Sequence, residues 1–207
     1  MGQTATKQQK LSNEQVKELR RHVSFSEEEI RDWWKEFTQS TRRTSAGELF
    51  LSEDEFVKVY NSVFPGKCDD FARHVFRTFD RNNDSRVVFR EFLIGLSISG
   101  SMDTEKKLQW AFQVYDVEQR GYITRAGMTE IIRAVFRMIG PMKPADITQS
   151  PEEMADEFFR ELDRNGDDVI SWQEFRDGAD RYPMVLNMLQ CGPPDEADEN
   201  DVFASDN

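Results

Sequence analysis

Two stretches of the chain place an oxygen-bearing side chain at every second residue and then close with a glutamate. The first runs Asp80, Asn82, Asp84 and ends at Glu91. The second runs Asp163, Asn165, Asp167 and ends at Glu174. Alternating carboxylate and amide oxygens on a short loop suit a hard cation that takes six to eight oxygens, and calcium is such an ion. A twelve-residue calcium loop ligates through side chains at positions 1, 3 and 5, a backbone carbonyl at position 7 and a bidentate acid at position 12. Arg86 and Val169 stand at position 7 and would give their carbonyls. Val87 and Ile170 at position 8 are aliphatic, as a residue that bridges to a neighbouring loop should be. Both stretches follow D-x-[DN]-x-[DN]-G-x5-E except at the glycine, where Ser85 and Asp168 stand instead. That position needs φ > 0, which costs a non-glycine residue on the order of 1 kcal/mol, less for Asp than for Ser. Two calcium ions are expected, with the Ser85 loop the more strained.

Two further copies of the pattern are damaged. Asp116 opens one, and Gly121 is its turn glycine, but Arg120 stands at position 5 and Gly127 at position 12. A cation replaces one ligand and the closing acid is missing. The other, Thr44–Glu55, has Thr44, Ala46 and Glu48 at positions 1, 3 and 5. Neither is expected to bind calcium, although Ile123 of the first can still pair with Ile170.

Each loop needs a helix on either side to position it. Helical periodicity predicts helices near 12–20, 27–37, 53–62, 69–79, 89–97, 105–115, 124–138, 151–162, 172–180 and 183–190. The expected fold is all-α: four EF-hands in two paired lobes, with short β-bridges between paired loops. The lobes are expected over 23–100 and 101–191, behind a basic segment at 1–22. Residues 192–207 carry acids and no base; such a stretch buries little and is expected to be disordered.

Composition narrows the function classes. The formal net charge is -12, which disfavours nucleic acid as a partner, because phosphate backbones need a basic face. The cysteines, Cys68 and Cys191, are not spaced as a thiolate metal site or a disulfide framework. No apolar run reaches the ~18 residues of a membrane span. No phosphate loop or nucleophile elbow occurs, and His22 and His74 sit in no metal or triad spacing. An enzyme is not expected, and the expected localisation is cytoplasmic.

Two features point towards partners. The chain has 16 Phe, more rings than small helix pairs need inside. Trp33, Phe37, Phe56, Tyr60, Phe92 and Leu96 are candidates for an apolar groove that takes an amphipathic target helix. At the N-terminus, Met1-Gly2-Gln3-Thr4-Ala5-Thr6 fits the N-myristoylation pattern on Gly2. Lys7, Lys10, Lys17, Arg20 and Arg21 follow, and an acyl chain beside a basic segment is the two-signal arrangement for peripheral attachment to the inner leaflet.

With these residues in view, the chain resembles the neuronal calcium sensor family of recoverin, frequenin, neurocalcin and visinin-like proteins. The strings that carry the resemblance are His74–Asp80, Phe89–Phe92, Lys107–Phe112, Tyr122–Arg125 and Leu189–Cys191, together with Phe25–Glu28 and the Gly2 start. They span residues 1–191. The resemblance implies a silent first hand, a calcium-dependent myristoyl switch, and an exposed apolar groove that regulates membrane-associated signalling proteins. A calcium buffer and a constitutive regulatory subunit of an enzyme are the alternatives. The chain departs from the family at the third hand, which normally binds calcium; Arg120 and Gly127 speak against it here. It departs again in the first loop, which lacks the family's Cys-Pro and carries extra residues around Arg42–Ala46, and in the acidic tail.

Overall fold

The computed structural model describes residues 10–44, 47–63, 68–99, 103–139 and 148–179. Gly2, the expected helix at 183–190 and the acidic tail lie outside them. The helices are α1 (Asn13–Arg20), α2 (Glu27–Ser40), α3 (Glu53–Val63), α4 (Asp69–Phe79), α5 (Phe89–Ser99), α6 (Thr104–Tyr115), α7 (Arg125–Ile139), α8 (Pro151–Leu162) and α9 (Trp172–Ala179). Each starts and stops within a few residues of its expected place.

The helix starts show why. Ser12, Ser26 and Ser150 each accept the N–H of the residue three places on, and Gln15, Glu29 and Glu153 return a side-chain oxygen to the cap N–H. These reciprocal pairs satisfy donors that the first helical turn leaves open. Pro151, already fixed in φ, takes the first position of α8.

Short antiparallel strands join the loops in pairs. Strands β4 (Tyr122–Thr124) and β5 (Val169–Ser171) pair with Ile123 opposite Ile170, as expected. In the first half, β2 (Leu49–Leu51) pairs with β3 (Val87–Val88), placing Leu51 opposite Val87. A third strand, β1 (Arg42–Arg43), lies on the far side of β2. Arg42–Thr44 therefore run back along Gly47–Leu51 as the two arms of a β-hairpin, tied by Thr44 N–H to the Glu48 carbonyl at 2.9 Å and Gly47 N–H to the Thr44 carbonyl at 2.9 Å.

A continuous apolar core runs through both halves. Phe37, Phe71, Tyr115, Phe158, Phe159 and Phe175 are among its fully buried side chains. Helix α4 lies at the junction and packs against α3, α5, α6 and α7. The indole N–H of Trp110 on α6 donates to Thr78 Oγ1 on α4 at 3.1 Å.

Two glycines let helices meet closely. Gly95 faces Phe79, and Gly178 faces Leu162. A Cβ at Gly95 would lie 2.5 Å from the Phe79 ring, and one at Gly178 would lie 2.1 Å from a Leu162 methyl. In both hands the glycine follows the closing glutamate by four residues, and its contact immediately precedes the opening aspartate. The damaged hands have Val59 and Ile131 at the equivalent places.

Candidate metal centres

The loops that follow α4 and α8 fold on their own carboxylates. Asp80 ends α4. One of its oxygens accepts the Asp84 N–H at 3.1 Å and the other accepts the Ser85 N–H at 2.8 Å. Asp163 ends α8 and accepts the Gly166 N–H at 2.8 Å, with the Asp168 N–H at 3.0 Å on its second oxygen. Asn82 and Asn165 then accept the N–H groups of Asp84 at 3.1 Å and Asp167 at 2.9 Å. Each loop's first side chain thus ties the turn together.

The closing acids stand in the first turns of α5 and α9. Glu91 accepts the Val88 N–H at 3.1 Å. Glu174 accepts the Ser171 N–H at 2.9 Å and hydroxyl at 2.7 Å, and its other oxygen accepts the Arg164 N–H at 3.1 Å. Among the described residues, no three His, Cys, Asp or Glu side chains are drawn together as a metal cluster; these acids face N–H groups instead. The donor set still fits calcium. It consists of oxygens alone, from Asp80, Asn82, Asp84, the Arg86 carbonyl and Glu91, and from Asp163, Asn165, Asp167, the Val169 carbonyl and Glu174.

The backbone meets the expected strain. Ser85 has φ 61° and Asp168 has φ 61°. Position 4 is left-handed as well: Asn83 has φ 55°, Gln119 φ 53° and Gly166 φ 72°. The sequence reading missed this second site, although Asn and Gly tolerate the region best and stand there in the two complete loops. Arg125 was missed too. It pairs with Asp156 at 2.7 Å and Asp168 at 3.4 Å, with its guanidinium 4.3 Å from the centre of the Phe159 ring. It therefore holds the position-6 side chain of the last loop from a neighbouring hand.

The Asp116–Gly127 loop has the same shape without the same chemistry. Asp116 accepts the Arg120 N–H at 3.0 Å and the Gly121 N–H at 2.8 Å, as the opening residues do elsewhere. Arg120 pairs with Glu118 at 3.2 Å, so position 5 neutralises position 3. A Cβ on Gly127 would meet the Tyr115 carbonyl at 3.2 Å and Thr124 Oγ1 at 3.3 Å, which leaves a closing side chain little room.

Most of the chain aligns with proteins of known sequence. Visinin of Gallus gallus is 34% identical over 187 residues, covering 88% of this chain and 95% of visinin. Recoverin of Homo sapiens is 33% identical over 188 residues, covering 88% and 91%. Neuronal calcium sensor 1 of Lymnaea stagnalis is 36% identical over 191 residues, covering 91% and 96%. This chain belongs to the neuronal calcium sensor family. The family model for an EF-hand domain pair also matches, over residues 105–179.

Within this calcium-binding EF-hand sensor the two closing acids are not equivalent. Burial pushes the Glu91 carboxyl above the ordinary glutamate value; N–H donors at Val88 and Arg81 oppose this, while Asp80 and Asp84 add to it. Burial acts the same way on Glu174, but the Ser171 hydroxyl and the N–H groups of Ser171, Arg164 and Asn165 outweigh it and hold the carboxyl low.

The six groove candidates do not line an open trough. Phe37, Phe56 and Phe92 are 1%, 2% and 4% exposed, because their rings pack on one another and on Phe79 and Phe89. Trp33, Tyr60 and Leu96 are half-buried at the edge of the same cluster. Trp33 touches Phe92 at 6.1 Å between ring centres, and Tyr60 stacks on Phe56 at 6.1 Å.

Proposed function

We propose that calcium loads two loops, Asp80–Glu91 and Asp163–Glu174, and that the loaded sensor regulates a membrane-associated signalling protein by taking its amphipathic helix. Glu91 and Glu174 carry this reading. Each stands in the first turn of an exiting helix, so metal capture at position 12 is coupled to helix position. Reorientation of α5 against α2 and α3 would uncover Trp33, Phe37, Phe56, Tyr60, Phe92 and Leu96. A target must prefer the opened state for calcium to act as a switch.

On this reading the lobes span 23–100 and 101–191. Myristoyl on Gly2 and the basic segment after it hold the protein at the inner leaflet from the cytoplasm. Among the described residues no helix is long and apolar enough to cross a membrane. The burial of Phe37, Phe56 and Phe92 favours one alternative, a buffer whose lobes barely open.

Calcium titration of the wild type beside Glu91→Gln and Glu174→Gln tests the sites: two are expected, with one lost in each variant. A third site that survives in the double variant would refute the assignment. Binding of an apolar dye that does not change with calcium would favour the buffer.

A further inference from the structure

The first hand lacks a usable ligand set, yet its closing acid is poised as in the complete hands. Glu55 stands at position 12 of the Thr44–Glu55 loop and is 9% exposed. Its Oε2 accepts the Ser52 N–H at 2.9 Å and the Ser52 hydroxyl. Glu174 does the same with Ser171, and Glu91 with the Val88 N–H. The second oxygen is where they differ. Glu55 Oε1 accepts Nε–H of Arg42, a full cation, and the two form an ion pair. Glu174 turns this oxygen to backbone N–H groups, and among the described residues neither Glu91 nor Glu174 pairs with a cation.

Arg42 is delivered there by the hairpin. Its strand pairs with β2 so that Arg42 lies opposite Phe50, and Phe50 lies opposite Val88 of the next loop. The chain that would otherwise lead into a coordinating loop folds back, and its guanidinium reaches the closing acid.

We propose that Arg42 is a tethered replacement for the metal ion of the first hand. It neutralises Glu55 from inside the chain, fixes the start of α3 at every calcium level, and so keeps β2 ready for β3. The first hand acts as a permanently loaded partner for the Asp80 loop. A buried carboxylate deprived of its cation is costly, whereas removing both partners together is nearly neutral, and this gives the pair a recognisable signature. The effect on calcium rests on the reading that the Asp80 loop binds it; the effect on the first hand does not.

The test uses the full chain carrying Glu174→Gln, so that only the Asp80 loop takes calcium. Arg42→Ala is expected to weaken calcium binding roughly fivefold to tenfold and, in chelator, to speed hydrogen exchange of the Ser52 amide about tenfold. Arg42→Lys should restore most of both. Arg42→Ala with Glu55→Gln should lie closer to the parent than Arg42→Ala alone. If Arg42→Ala fails to fold, rescue of folding by Glu55→Gln supports the pairing and lack of rescue overturns it. Exchange and affinity in Arg42→Ala that match the parent would also overturn it. Faster exchange in Arg42→Ala than in its parent, when the parent binds no calcium, would leave Arg42 in its role and refute the metal assignment of the Asp80 loop.

Discussion

The guanidinium of Arg77 on α4 lies against the carbonyl of Val117, with Nη1 donating at 2.8 Å. Nη2 reaches the carbonyls of Val114 at 3.0 Å and Gln113 at 3.3 Å. Arg77 precedes Asp80 by three residues, and Val117 follows Asp116 directly. The helix entering one complete loop therefore grips the start of a loop that lacks its closing acid, and ties the halves of the molecule together. Burial lowers the Arg77 pKa from its ordinary value, with Asp116 and Glu130 opposing. Arg77→Met keeps the stem and removes all three bonds. It should lower stability in chelator by about 2 kcal/mol, read by urea unfolding. Arg77→Lys should recover only part of this, since an ammonium cannot span the three carbonyls as the planar fork does.

Ser85 carries backbone strain that a substitution can release. Ser85→Gly should strengthen calcium binding at the Asp80 loop by up to about fivefold, the equivalent of ~1 kcal/mol. Asp168→Gly should gain less, because it also removes the contact with Arg125. Titration of each variant calorimetrically checks both.

Protons and calcium compete for the closing acids, and the two loops should lose calcium at different pH. The Glu91 pKa is raised above 4.5, so on acidification it takes up a proton while the pH is still above that value. The Glu174 pKa is lowered below 4.5, so it remains ionised until the pH falls further. Calcium affinity should therefore drop first at the Asp80 loop. The stability signs are opposite. Ionised Glu91 costs stability as the pH rises through 4.5 towards its folded value. Ionised Glu174 contributes stability that is present above 4.5 and lost below its folded value. Titration of the Glu91→Gln and Glu174→Gln proteins between pH 4 and 7 separates the loops; identical profiles would contradict the electrostatic difference.

The two close-packed glycines should respond differently to a methyl group. Phe79 at Gly95 is a buried ring wedged among Phe56 and Phe92, so it has little freedom to move. Gly95→Ala should cost about 1–3 kcal/mol through overpacking, more than the ~1 kcal/mol helix preference returns. At Gly178 the obstacle is the far end of a Leu162 side chain, which can turn aside. Gly178→Ala should be near neutral, and thermal unfolding of the pair decides the order.

Local chemistry made the helices and the two complete loops legible in the sequence. Ser12–Gln15 and Ser26–Glu29 announce helix starts within four residues, and the alternating oxygens mark by spacing alone the two loops that fold on their opening carboxylates. What the sequence hid depends on distance. Arg77 and Val117 are 40 residues apart, and Arg125 and Asp168 are 43 apart; no periodicity links either pair. Strand β1 was hidden for another reason. Two exposed arginines carry no alternation, and only the partner strand makes them β. The aromatic excess was legible as a cluster, but not its state, since the same rings that would meet a target also meet one another.

The position of α4 has a consequence for melting. Helices of both halves pack on this one helix, α3 and α5 from the first and α6 and α7 from the second. Unfolding of either half strips α4 of part of its packing, so heating should produce a single calorimetric peak. By mass action, an ion that binds either loop would then protect the packed core of both halves, including residues that never approach it.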